Sequence, residues 1–165
     1  MALSILIVER ERHAREGLCM ILANDGHEVK VADDMWAGFA SIFSRPYDLL
    51  LLDDNVQSER HVTLNVLDLL RFARRYEPAT CAIVITSFDD DAHGYRVEPG
   101  VVAVLRKPVE MSRLRVELAD RSRDVDDVLP GALEQPLLLR GRHLRAQRPG
   151  RRGRRRSGGR GGDRL

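Results

Sequence analysis

The chain has 165 residues, with 27 Lys+Arg against 25 Asp+Glu and a formal net charge of +2. That length holds one domain of ordinary size with its own core, or such a domain and a tail. Two distant cysteines without a CxxC, and no run near the ~20 apolar residues of a spanning helix, argue against a disulfide scaffold, a zinc site or a membrane span. The N-terminus lacks the basic start of a secretory signal, so the expectation is a soluble cytoplasmic protein with no membrane contact.

The first predicted element is a buried strand over residues 3–8, a short apolar run rich in β-branched residues. A helix follows, with Ala14, Leu18, Ile21 and Leu22 on one face and Asn24-Asp25-Gly26 as its stop. Val29 and Val31 mark a weaker strand over 28–32. Met35 to Ser44 form a short helix that ends before Pro46. Its Trp36, Phe39 and Phe43 are spaced three and four apart, which predicts a core face. Four leucines at 49–52 read as the third strand. The stripe Leu64, Leu67, Leu70 and Ala73 reads as the third helix, with Arg71, Arg74 and Arg75 near its end, where the dipole favours cations. Strands at 81–85 and 101–105 flank a segment, 88–99, broken by Gly94 and Pro99, where a short or irregular fourth helix is expected. Met111, Leu114, Leu118 and Val125 mark the last helix.

Strictly alternating strands and helices predict an α/β fold: a three-layer, doubly wound parallel sheet of five strands in the flavodoxin-like order 2-1-3-4-5. The apolar pattern decays after 127. Residues 140–165 carry 11 Arg and 7 Gly with Asp163 as the one acid, whereas residues 1–139 carry 16 Lys+Arg against 24 Asp+Glu. The near-neutral total therefore hides an acidic domain, placed at 1–125, and a Pro/Gly/Arg-rich basic tail over 126–165, expected to be disordered.

Ligands of such sheets bind beyond the C-terminal strand ends. Those ends present Glu9-Arg10-Glu11, Asp53-Asp54, Thr86-Ser87 and Arg106-Lys107-Pro108. A carboxylate beside a hydroxyl and an ammonium can accept a phosphoryl group as an acyl phosphate. The other two groups can bind the phosphate oxygens, and nearby acids can hold Mg²⁺. The polar cluster is also consistent with ordinary solvated loop starts.

Four segments carry a resemblance: Ile5-Leu6-Ile7-Val8-Glu9, Tyr47 to Asp53, Ile83 to Ser87 and Leu105-Arg106-Lys107-Pro108. In their order and spacing they resemble the signature segments of response-regulator receiver domains, over roughly residues 3–122. The resemblance implies a CheY-like fold, and a histidine kinase or phosphotransfer protein together with a downstream target protein as partners. It further implies Asp53 as phospho-acceptor, Thr86 as switch hydroxyl and Lys107 as phosphate contact. Glu9 and Asp54 would make the acidic pocket. Glu9, Asp53 and the main-chain carbonyl of Asn55 would hold Mg²⁺. The function so implied is a single-domain response regulator of a two-component phosphorelay that signals by protein–protein interaction.

The departures from that pattern are informative. Arg10 stands where the family has a second acid, and a guanidinium cannot ligate Mg²⁺. It could instead pair with Asp53 or Glu9, or Asp54 or Glu11 could supply the missing carboxylate. Gln57 and His61 differ in the loop after Asp53, and Val104 replaces the strand-five aromatic. These residues support the alternative of a degenerate, unphosphorylated receiver that acts as a constitutive interaction module. The five histidines have no metal-ligand spacing and read as surface residues. The tail admits nucleic-acid binding, a role-free extension or shifted-frame coding, with nucleic-acid binding the least favoured. No further acid–base set points to an enzyme.

Overall fold

The computed structural model describes residues 2–56, 64–87 and 92–127. The expectations for Gln57, His61, the start of the 88–99 segment (residues 88–91) and the tail over 128–165 lie outside the described residues. The elements are β1 (Ser4–Val8), α1 (Arg12–Asn24), β2 (Glu28–Ala32), α2 (Met35–Ser44), β3 (Leu49–Asp53), α3 (Val66–Arg74), β4 (Cys81–Thr86), α4 (Ala92–Arg96), β5 (Val101–Arg106) and α5 (Met111–Asp127). All strand pairs are parallel, in the order β2-β1-β3-β4-β5. This is the predicted architecture.

The sheet is covered on both faces, which explains its continuous apolar strands. Period-two alternation divides each run between two cores. Ile5, Ile7, Leu49, Leu51, Ile83 and Ile85 pack with Leu18 and Leu22 of α1 and Leu114 and Leu118 of α5. Leu6, Val8, Leu50 and Leu52 pack with Met35 and Ile42 of α2 and Leu69 and Leu70 of α3. All residues of β3 and β4 are buried, so these two central strands fix the height at which Asp53 and Thr86 emerge.

Helix ends follow local chemistry. Glu11 caps α1 by accepting from the amides of His13 and Ala14. Asp34 caps α2, and Asn65 with Asp68 forms a capping box on α3. Gly26 closes α1 at φ 92°, its amide donating to Ala23 O and that of His27 to Leu22 O.

The predicted core face of α2 is corrected. Met35, Gly38 and Ile42 are its buried residues, whereas Trp36 is 40% and Phe43 76% exposed. Gly38 lets α2 approach α3 so closely that an added Cβ would lie 3.1 Å from Leu69 Cδ2. That contact sets the rotation of α2 and turns Trp36 and Phe43 outward. Phe39 is partly buried and stacks edge-on with Phe72 at 5.2 Å, which stacks in turn with Tyr76.

His27 is also no plain surface residue. It is half-buried, and its Nδ1 accepts the Leu3 amide at 3.2 Å, tying the start of β1 to the turn before β2. Asp48 does a comparable task at the same edge. Its Oδ2 accepts from Ser4 N at 2.7 Å and its carbonyl from Cys81 N at 3.2 Å.

Candidate functional site

The C-terminal strand ends bring Glu9, Arg10, Glu11, Asp53, Asn55 and Lys107 around one cavity of about 440 Å³. Asp53 ends β3 and is 2% exposed. Its Oδ1 lies 2.9 Å from Lys107 Nζ and accepts from both the amide and the side-chain nitrogen of Asn55 at 3.2 Å. Asn55 Nδ2 also reaches Ser87 Oγ at 3.4 Å. The Val56 amide donates to Asp53 O at 3.1 Å, turning the chain back directly after the acid.

Glu9 follows β1 and is equally buried. Its amide donates to Ala32 O, extending the strand pairing by one residue. Its Oε1 accepts from the Glu11 amide at 2.8 Å, and its Oε2 lies 3.3 Å from Lys107 Nζ. Burial raises the Glu9 pKa, the nearby Asp53 carboxylate adds to the rise, and the Glu11 amide and Lys107 oppose it. Partial burial alone would lower the Lys107 pKa, but its bond to Asp53 and the two carboxylate charges outweigh this and raise it.

Lys107 directly follows β5, and its amide donates to Thr86 O at 2.9 Å, continuing the pairing with β4 to the edge of the pocket. Thr86 ends β4, is buried, and stands one register position beyond Ile85, the partner of Asp53. Asp54 is half-buried, its amide donates to Ile85 O, and it does not line the cavity. Glu11 does line the cavity, yet both its oxygens face amides of α1, which lower its pKa, Ala14 first and then His13. It is committed to capping and does not replace the absent acid.

Arg10 is exposed at the cavity mouth. Among the described residues, the cation paired with Glu9 and Asp53 is Lys107, in the place proposed for Arg10. Sequence reasoning overlooked Arg15. Its Nη1 donates to Glu9 O at 2.8 Å and Arg10 O at 3.0 Å, clamping the β1–α1 loop. The available signal was a cation in the first turn of a helix, where the dipole disfavours it unless carbonyls receive it.

A Mg²⁺ site needs near-octahedral oxygen donors. Of the four carboxylate oxygens of Glu9 and Asp53, three already accept from nitrogen donors. A guanidinium lines the same cavity, and no group of three or more His, Cys, Asp or Glu side chains suited to a metal occurs among the described residues. The donor set does not fit a tightly held divalent ion.

Comparison with known proteins supplies the context. The family model of the response regulator receiver domain matches residues 5–119. A response regulator receiver protein from Anaeromyxobacter sp. (strain Fw109-5) is 34% identical over 110 residues, covering 66% of this chain and 44% of that protein. The chain thus spans under half of that relative's length. A structure of NtrX from Brucella abortus in complex with ATP aligns with TM-score 0.64 and 27% identity over 77% of this chain and 30% of that one. A receiver domain protein from Clostridium thermocellum aligns with TM-score 0.65 and 22% identity over 76% of this chain and 98% of that one, a likeness of fold.

Proposed function

Because the chain belongs to the response regulator receiver domain family, we propose that it takes a phosphoryl group on Asp53 within a two-component phosphorelay and signals by protein–protein contact. Residues 1–125 are the receiver and 126–165 an appendage, in a cytoplasmic protein. No helix among the described residues is long and apolar enough to cross a membrane. The observation that carries the reading is the buried Asp53 carboxylate, held 2.9 Å from Lys107 Nζ and open to a cavity.

The donor is a phosphohistidine on a kinase or phosphotransfer protein. An Asp53 oxygen attacks phosphorus, the P–N bond breaks, and the electron pair leaves with the imidazole, which takes up a proton. Lys107 and the Thr86 hydroxyl receive the new phosphoryl oxygens. Beside the acceptor, an apolar cavity of about 450 Å³ lined by Ala14, Leu18, Ile21, Pro108 and Met111 suits an apolar helix face of the donor. Exposed Val97, Val102 and Val116, around α4, β5 and α5, supply apolar area for a target protein. The chain acts as a signalling module and not as an enzyme on a small molecule.

Incubation with a phosphorylated histidine donor, read by intact mass, tests this. One phosphoryl adduct, lost in Asp53→Asn, is expected; no adduct, or one that survives that change, overturns the reading. A second reading, a receiver that works without phosphate, is favoured by Arg10 at the cavity mouth and by Val104, buried against Val84 and Leu67 where the family has an aromatic. Gain of phosphate only upon Arg10→Asp would select it.

A further inference from the structure

Resting on the reading of Asp53 as acceptor, we infer that Arg10 supplies the positive charge of the phosphoryl pocket, so that Asp53 phosphorylation proceeds without a divalent cation. The starting point is the misfit between the donor set and Mg²⁺. Lys107 bridges Glu9 Oε2 and Asp53 Oδ1, Asn55 shares that Asp53 oxygen, and the Glu11 amide takes Glu9 Oε1. The cavity carries three acids, Glu9, Glu11 and Asp53, and the cations set against them are Lys107, which pairs with Glu9 and Asp53, and Arg10.

Transferring phosphoryl spreads negative charge over three peripheral oxygens, and its stabilisation is almost wholly electrostatic. A guanidinium presents planar paired donors that match two such oxygens at once. The β1–α1 loop fixes the backbone from which this group extends. Arg15 Nη1 binds the carbonyls of both Glu9 and Arg10, and the Glu9 carboxylate binds the Glu11 amide. The backbone of Arg10 is thereby fixed from both sides while its side chain stays exposed at the cavity. Arg10 is the charge carrier.

With a small acyl phosphate as donor, the step balances without a proton. An Asp53 oxygen bonds to phosphorus, the donor's P–O bond breaks, and the electron pair leaves on the carboxylate product.

The test incubates the full chain with acetyl phosphate in Mg²⁺ or in EDTA and follows the adduct by intact mass. Thermal melts confirm that each variant is folded. Wild type is expected to gain phosphate at closely similar rates in both buffers. Arg10→Ala should slow the reaction in EDTA roughly ten- to a hundred-fold, the scale of losing one charge-stabilising donor. Arg10→Lys should restore part of that loss, and Arg10→Asp should make the reaction depend on Mg²⁺. An adduct that forms in wild type only with Mg²⁺, or an Arg10→Ala rate unchanged in EDTA, overturns the inference while leaving Asp53 as the acceptor. If acetyl phosphate gives no adduct in either buffer, the inference falls; if the phosphohistidine donor fails as well, the acceptor reading falls with it.

Discussion

Lys107 reaches Asp53 across the whole width of β4, its Nζ 2.9 Å from Asp53 Oδ1. The same ammonium lies 3.3 Å from Glu9, so one cation holds two buried carboxylates together. Removing it leaves two acids facing each other, whereas removing one acid leaves a simple ion pair. Lys107→Met should therefore lower unfolding stability by about 1–3 kcal/mol, below the full range for buried pairs because the ammonium is partly exposed. Adding Asp53→Asn should return much of that loss. Urea unfolding of the two single variants and the double variant measures the coupling, and additive effects would show that Lys107 does not bridge the acids.

Glu9 sets a pH dependence of definite sign. Its folded pKa is raised above the ordinary 4.5, by burial first and the Asp53 carboxylate next. A raised acid binds its proton more tightly when folded. Its stabilising contribution is fully present below the unfolded pKa and is lost as pH rises through the folded one. Glu9→Gln keeps an acceptor for the Glu11 amide and removes the titration. The variant should gain on wild type progressively as pH climbs from about 4.5 toward neutrality. Denaturant midpoints across that span check it, and a difference that shrinks with rising pH would contradict the burial of Glu9.

The strands were legible because a sheet covered on both faces demands unbroken apolar runs, as at Leu49 to Leu52. Strand order then placed Glu9, Asp53 and Lys107 at one edge before any contact was known. The rotation of α2 was not legible. Apolar spacing pointed to Trp36, Phe39 and Phe43, whereas the burial of Met35, Gly38 and Ile42 depends on Leu69 meeting Gly38 from another helix. The roles of Arg15, Asp48 and His27 were hidden for a related reason. Each bonds to main-chain atoms, amides for His27 and Asp48 and carbonyls for Arg15, and main-chain groups leave no mark in residue identity.

His27 should make the domain weaken in mild acid. Burial lowers its pKa below the ordinary 6.5, and its Nδ1 must be unprotonated to accept the Leu3 amide. A histidine depressed in this way stabilises the fold above the unfolded pKa, and that contribution is lost as pH falls through the folded value. Wild type should lose stability between about pH 7 and pH 5 by more than His27→Gln does. Parallel urea titrations of the two proteins measure the excess, and identical slopes would remove His27 from the account.

Gly100 joins α4 to β5 at φ 94°, a conformation that disfavours a side chain. The space is also taken, since an added Cβ would lie 2.8 Å from Arg74 Nη1 and 3.0 Å from its Cδ. That same Nη1 donates to Thr80 O at 2.7 Å, bracing the loop that leads into β4. Gly100→Ala therefore combines backbone strain with displacement of a bonded guanidinium, and should cost about 2–3 kcal/mol. For a domain of this size the Tm should fall by roughly 5–10 °C. Gly17 is the contrasting case: it lies within α1 and an added Cβ meets nothing within 4 Å. Gly17→Ala should raise stability by about 0.5–1 kcal/mol through helix propensity alone. Opposite signs for the two substitutions in thermal melts are the expected result. A Gly100→Ala protein that melts with wild type would mean that Arg74 does not fill the space beneath that turn.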